Sequence, residues 1–223
     1  MGGVWVRSED HSTDVEGLYV IGEASSGLHG ANCLGGNSLI ELLVYGKIAA
    51  RAAARHSTEL ESQQRSAAAV SEACDEIARL LGSAGQENVR YLQRAVRNTM
   101  TDYGGVVRDE AGLRKGLGQL ADIDSRVDDI GVHPDLAGFT DLAHAFDLKG
   151  SLLAARATLE CALERRETRG CHNRSDYPDL DPALQVNLMW SGPGKVSLEP
   201  VAATPQQVSD HMHVVSAAGK LVE

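Results

Sequence analysis

The pattern of apolar and polar positions divides the 223 residues into stretches of different character. Near the start, Val4-Trp5-Val6-Arg7 and Leu18-Tyr19-Val20-Ile21 are short β-prone runs separated by the polar segment Ser8 to Glu16, the pattern of an antiparallel hairpin. From Ser38 to His56 the chain is dominated by Ala, Leu, Ile and Val, with no proline and Gly46 as its one glycine. That run predicts a helix, with Asn37 or Ser38 suited to cap it. Its first half is apolar nearly all round, as a buried element would be.

Composition then shifts toward Ala, Glu, Gln and Arg. Thr58 to Leu81 reads as a helix with Leu60, Val70, Ile77 and Leu80 near helical spacing, ended by Gly82-Ser83-Ala84-Gly85. Glu87 to Tyr103 carries Val89, Leu92, Val96 and Met100 on one face. Ala111 to Ile123 predicts a further helix, weakened by Gly112, Gly116 and Gly118. After Pro134 a long helix is expected from about Leu136 to Arg166. The tail from Gln185 to Val215 contains Val186-Asn187-Leu188 and Val196-Ser197-Leu198, read as a small strand pair with extended ends. The expected fold is mainly α: an N-terminal β-hairpin and helix over residues 1–57, a helical bundle over 58–182, and an extended, β-containing tail over 183–223.

Charge and composition narrow the function classes. With 43% hydrophobic and 23% charged residues the chain matches an ordinary globular protein. Its net charge of −10 argues against nucleic acid or anionic lipid as main partner, since both select basic patches. No run approaches the roughly eighteen apolar residues of a membrane span, and the first residues lack the order of a signal peptide. Cys33, Cys74, Cys161 and Cys171 form no C-x-x-C pair, so a reduced, cytoplasmic setting is the default. Cys74 and Cys161 fall in helical patterns and are expected to be inert core thiols. No Ser-His-Asp or paired-carboxylate spacing occurs, and His211-Met212-His213 lacks a third ligand for a metal.

Two motifs carry candidate chemistry. In the first, the strand Gly17-Leu18-Tyr19-Val20-Ile21 ends in Gly22-Glu23. The loop His29-Gly30-Ala31-Asn32-Cys33-Leu34-Gly35-Gly36 follows, and a helix opens at Asn37-Ser38-Leu39. Backbone N–H groups at such a helix start can hold an electron-rich ligand edge. In the second, Arg165-Arg166-Glu167-Thr168-Arg169-Gly170-Cys171-His172-Asn173-Arg174-Ser175-Asp176-Tyr177-Pro178 clusters basic residues after a long helix. The cluster reads either as support for the helix C-terminus or as a contact to an anion or to a neighbouring domain.

Both motifs, with Asp102-Tyr103-Gly104-Gly105-Val106-Val107-Arg108 between them, resemble the closing segments of the succinate dehydrogenase, fumarate reductase and L-aspartate oxidase flavoprotein family. The resemblance runs from residue 1 to about residue 190 and implies an FAD-dependent oxidoreductase moving hydride between a dicarboxylate and FAD. It implies that Glu23 accepts hydrogen bonds from the FAD ribose. It also implies that Asn37, Ser38 and Leu39 form the helix start facing the pyrimidine edge of the flavin ring. His29 and Cys33 fall on the substrate side, and Cys33 stands where the family has the Arg that clamps a substrate carboxylate.

The 223 residues contain no strand–GxGxxG–helix for the pyrophosphate, and Met1-Gly2-Gly3 falls inside a family motif. The expectation is therefore a C-terminal fragment or shortened gene product, without catalytic residues of its own. It would be completed by a missing N-terminal FAD and capping region or by another flavoprotein chain, with an iron–sulfur subunit among the partners implied. FAD is not expected to bind this piece tightly. Its setting would be cytoplasmic, peripheral to the inner membrane through a partner. The alternatives are a non-catalytic helical docking module or a fragment of L-aspartate oxidase. Gly35-Gly36-Asn37-Ser38 leans away from the last, whose members more often carry Ala-Ser-Asn-Ser.

Overall fold

The computed structural model describes residues 2–33, 35–61, 66–133, 140–201 and 206. Among the described residues five α-helices form the framework: α1 (Asn37–Glu59), α2 (Ala67–Leu81), α3 (Val89–Tyr103), α4 (Glu110–Asp124) and α5 (Thr140–Glu164). Two-residue parallel pairs tie their ends together. β1 (Glu87–Asn88) pairs with β3 (Ile130–Gly131), and β2 (Val107–Arg108) pairs with β4 (Asn173–Arg174). At the C-terminal side, β5 (Val186–Gly192) and β6 (Lys195–Pro200) form the expected antiparallel pair.

The core lies where α3, α4 and α5 cross. Leu92 and Val96 of α3 meet Leu113, Leu120 and Ile123 of α4 and Leu148, Leu152 and Leu159 of α5, all buried. Their spacing gives each helix one apolar stripe, which is why three amphipathic segments close into one bundle. Caps fix where two of them begin. Asn88 accepts N–H bonds from Arg90 and Tyr91 at 3.0 and 3.1 Å, and Asp109 accepts from Gly112 at 2.7 Å. The glycine expected to weaken α4 has a packing role: Gly116 is buried against Leu159 and Tyr103, where a Cβ would lie 2.9 Å from each. The β5–β6 pair docks on α5 through Glu160, which accepts from Trp190 Nε1 at 2.6 Å and from Gly194 N–H at 2.8 Å.

Several sequence expectations are corrected. Thr58 and Glu59 finish α1, and the next helix starts only at Ala67, capped by Ser66. Of that helix's apolar stripe only Leu80 is buried, while Val70 and Ile77 stay exposed. Cys74 is exposed and Cys161 half-buried, so the first is no core thiol; burial raises the pKa of the second. The expected start of α5 at Leu136 and the pair His211 and His213 lie outside the described residues.

The opening hairpin is present with a different first arm. Ser12 bridges Tyr19 in antiparallel sense, whereas Val4 bridges Ser25 in parallel. The chain turns back at His11, a non-glycine residue at φ 60°, so Ser12-Thr13 rather than Val4–Arg7 faces the second strand. His11 is held there by its ring against Tyr45 at 4.4 Å and by Nδ1, 3.0 Å from the Val20 carbonyl. Helix α1 departs most from expectation. Leu39 and Leu43 are 70% and 77% exposed, and Ile40, Leu42 and Val44 are exposed with them. The pattern is that of a buried helix, and the described residues leave this face open.

Candidate flavin-edge and substrate-side loop

Glu23 sits in a 3-10 turn, Gly22–Ala24, that follows the second strand. Gly22 adopts φ 68° against the side chain of Leu42, where a Cβ would fall 2.6 Å from Cδ2. The left-handed backbone favours glycine there, and any larger residue would also have to push aside the tip of Leu42. The Glu23 side chain itself is exposed.

Helix α1 begins behind Gly36, whose φ of 89° makes it a left-handed N-cap. Neither Asn37 nor Ser38 caps the helix, contrary to expectation, because both already lie within its first turn. Gly36 provides no side-chain cap, and the first turn carries no acidic residue. Asn37, Ser38 and Leu39 are all exposed. The helix therefore presents N–H groups and the positive end of its dipole, which fits an electron-rich ring edge or carbonyl.

The loop before α1 is anchored at two points. His29 Nε2 lies 2.5 Å from Glu41 Oε2, with Glu41 only 4% exposed and its Oε1 without a hydrogen-bond partner among the described residues. His29, Asn37, Ile40, Glu41 and Tyr45 border an open groove of about 250 Å³ along the first two turns of α1. The second anchor is Ala31, whose carbonyl accepts the N–H of Cys171 at 3.0 Å. Cys33, half-buried, lies two residues beyond.

That second anchor belongs to the basic cluster, which the structure resolves into a buried ionic network. Arg174 is 0% exposed; its Nη1 donates to the Ala162 carbonyl at 2.7 Å, and its Nε and Nη2 pair with Asp176 at 2.8 Å. It thereby ends α5, as expected of a cation at a helix C-terminus. The Asp176 pairing raises the Arg174 pKa and holds the Asp176 carboxyl below its ordinary range. Buried Glu167 is bound by Arg165 at 2.6 Å, Arg169 at 2.8 Å and the Asp181 N–H at 2.9 Å. Burial opposes its charge, but those donors outweigh burial and lower its pKa. Sequence reasoning missed Glu41, although a lone carboxylate within the apolar run Leu39–Val44 was the available signal. It also missed the contact of Gly170 and Cys171 with Ala31, which no spacing announces. No cluster of three metal-ligating side chains occurs among the described residues.

An exposed helix start, a Gly-Glu turn packed on that helix and a helical unit in contact with the intervening loop make up the candidate site. Comparison with known proteins identifies the family. Residues 93–213 match the sequence model of the fumarate reductase flavoprotein C-terminal region, and residues 1–39 match that of an FAD binding domain. The chain belongs to the succinate dehydrogenase/fumarate reductase flavoprotein family.

It is 34% identical to a fumarate reductase flavoprotein subunit of Haemophilus influenzae, over 97% of this chain and 38% of that protein. It is 32% identical to a succinate dehydrogenase flavoprotein subunit of Rickettsia bellii, over 96% of this chain and 37% of that one. The solved Sdh1 complex of Mycobacterium smegmatis superposes with a TM-score of 0.84 at 26% identity, covering 97% of this chain and 38% of its own. The chain thus spans little more than a third of the relatives it matches. The FAD-domain match assigns FAD as cofactor of the complete protein.

Proposed function

We propose that this chain forms the C-terminal part of an FAD-dependent oxidoreductase and completes its flavin site without being catalytic alone. The observation that carries the reading is the uncapped, exposed start of α1 behind left-handed Gly36. In this reading residues 1–57 close the FAD domain, 58–182 form the helical domain, and 183–223 the tail. The amides at Asn37, Ser38 and Leu39 hold the pyrimidine edge, and the exposed Glu23 carboxylate accepts from the ribose. When bound, FAD supplies the hydride-accepting N5 for interconverting a C–C single and double bond of a dicarboxylate.

The residues of this chain bind and orient. His29, held by Glu41, and Cys33 border the substrate side. Cys33 offers neither the charge nor the planar fork of an Arg, so the reading includes weak handling of succinate and fumarate. Among the described residues no helix is long and apolar enough to cross a membrane. Relatives named as flavoprotein subunits support partner subunits, of which the family resemblance implies an iron–sulfur subunit.

The test is flavin retention. The 223 residues hold no GxGxxG loop, so the contacts present are too few to offset the ordering of a large ligand. The chain purified alone should be colourless after gel filtration. Joined to an N-terminal FAD-domain segment it should be yellow, and Glu23→Ala should lower the flavin content. A joined protein that stays colourless would favour a docking module instead.

A further inference from the structure

The loop from His29 to Cys33 is gripped by a part of the chain 140 residues away in sequence. It contains Gly30 and is flanked by Gly27 and Gly36, which lie at φ 53°, 94° and 89° respectively. Such backbone loses much entropy on ordering, so its position depends on contacts from outside. Gly170 supplies one by close approach. It lies at φ 58°, and a Cβ there would fall 2.6 Å from the Ala31 carbonyl carbon and 2.7 Å from the Ala31 Cβ. Cys171 supplies the other, through its N–H to the same carbonyl.

The gripping turn is rigid. Arg169 and His172 exchange two backbone hydrogen bonds, at 2.8 and 3.0 Å. Arg169 is tied to buried Glu167, and His172 is locked between Arg108 and the Arg165 carbonyl. Ala31 sits midway between His29, which Glu41 also holds, and Cys33, so displacing its carbonyl moves Cys33 and strains the His29 anchor.

We propose that the Arg169–His172 turn, through Gly170 and the Cys171 N–H, is the positioning element of the His29–Cys33 loop. The turn touches no reacting group; it sets where His29 and Cys33 stand relative to the start of α1. Calling that loop the substrate side rests on the function proposed above. The mechanical grip does not.

Amide hydrogen exchange on the chain itself tests the grip. In the unaltered protein the Cys171 amide should be protected, and Gly170→Ala should speed exchange across residues 29–33 about tenfold or more. The amides of Leu92 and Leu113 in the bundle should be unchanged. Gly118→Ala, at a site with open space, should speed exchange at none of these. A Cys171 amide exchanging at the unprotected rate would overturn the proposal, and this holds even should the Gly170 variant fail to fold. So would loop exchange that rises only together with that of the bundle. In the complete FAD-loaded protein, Gly170→Ala should lower kcat severalfold while FAD content stays full. Unchanged kcat and KM would remove the functional half. The exchange measurement needs no flavin, so failure of the FAD reading and failure of the grip are separable.

Discussion

Arg108 Nη1 lies 3.1 Å from Nδ1 of His172, while His172 Nε2 lies 3.0 Å from the Arg165 carbonyl. A guanidinium can only donate, so Nδ1 accepts and the ring proton resides on Nε2, which donates to the carbonyl. Both ring nitrogens are thus committed to a neutral imidazole. Burial lowers the His172 pKa below its ordinary 6.5, with the charges of Arg108, Arg165 and Arg174 adding to the effect. Burial also lowers the pKa of Arg108.

The sign of the pH dependence follows. An unfolded chain takes the His172 proton more readily than the folded one, so this stability is complete above about pH 6.5 and is lost progressively as pH falls from there through the lowered folded value. Urea midpoints at pH 7.5 and 5.5 should therefore separate more for the unaltered chain than for His172→Gln. Equal separations would place the titration elsewhere.

Glu167 joins Arg165, Arg169 and the Asp181 amide with no exposed surface. Removing its carboxylate leaves two guanidinium groups crowded in a buried site. Glu167→Ala should cost about 3–5 kcal/mol, the range for breaking a buried ion pair from one side. The check is a denaturant titration, and a loss below about 1 kcal/mol would mean that water replaces the carboxylate.

Two glycines of α4 should respond oppositely to the same change. Gly118 faces open space, so Gly118→Ala should stabilise by about 0.5–1 kcal/mol through helix propensity. Gly116 meets Leu159 and Tyr103, so Gly116→Ala should cost about 1–3 kcal/mol from overpacking. Thermal melts of the two variants, compared side by side, give the sign directly.

Limited proteolysis should cut first before residue 60, where the apolar face of α1 is open and the strand bridges are isolated. Helices α3 and α4 and the middle of α5 should survive as one fragment. Early cuts within α3 or α4 that spare residues 2–33 would contradict a bundle stable on its own.

Position 33 carries the last expectation. In the complete flavin-loaded protein, Cys33→Arg should raise kcat/KM toward succinate or fumarate by about 30-fold or more, the scale of a charge-assisted pair worth 2–5 kcal/mol. Strong turnover by the unaltered protein, unaffected by that change, would show that another residue holds the carboxylate.

Local order was written in the sequence. The stripes Leu92–Val96, Leu113–Leu120 and Leu148–Leu159 announced three helices, because a helix that buries one face must repeat apolar residues near 3.6. The runs at Val186 and Val196 announced a strand pair, and the Gly-rich loop with its Asn-Ser helix start carried the family resemblance. Tertiary structure decided what periodicity cannot encode. Glycine tolerates open space and close approach alike, so only packing separates Gly118 from Gly116, and Gly170 from an ordinary turn glycine. The cap of α1 passed from Asn37 or Ser38 to Gly36 because its left-handed backbone sets the turn into the helix, a geometry invisible in residue type. The burial expected for α1 was absent because hydrophobic pattern records what a helix needs covered, while the cover must come from other residues. The grip of Gly170 and Cys171 on Ala31 exists only through folding, since backbone contacts between distant segments leave no periodic mark on either.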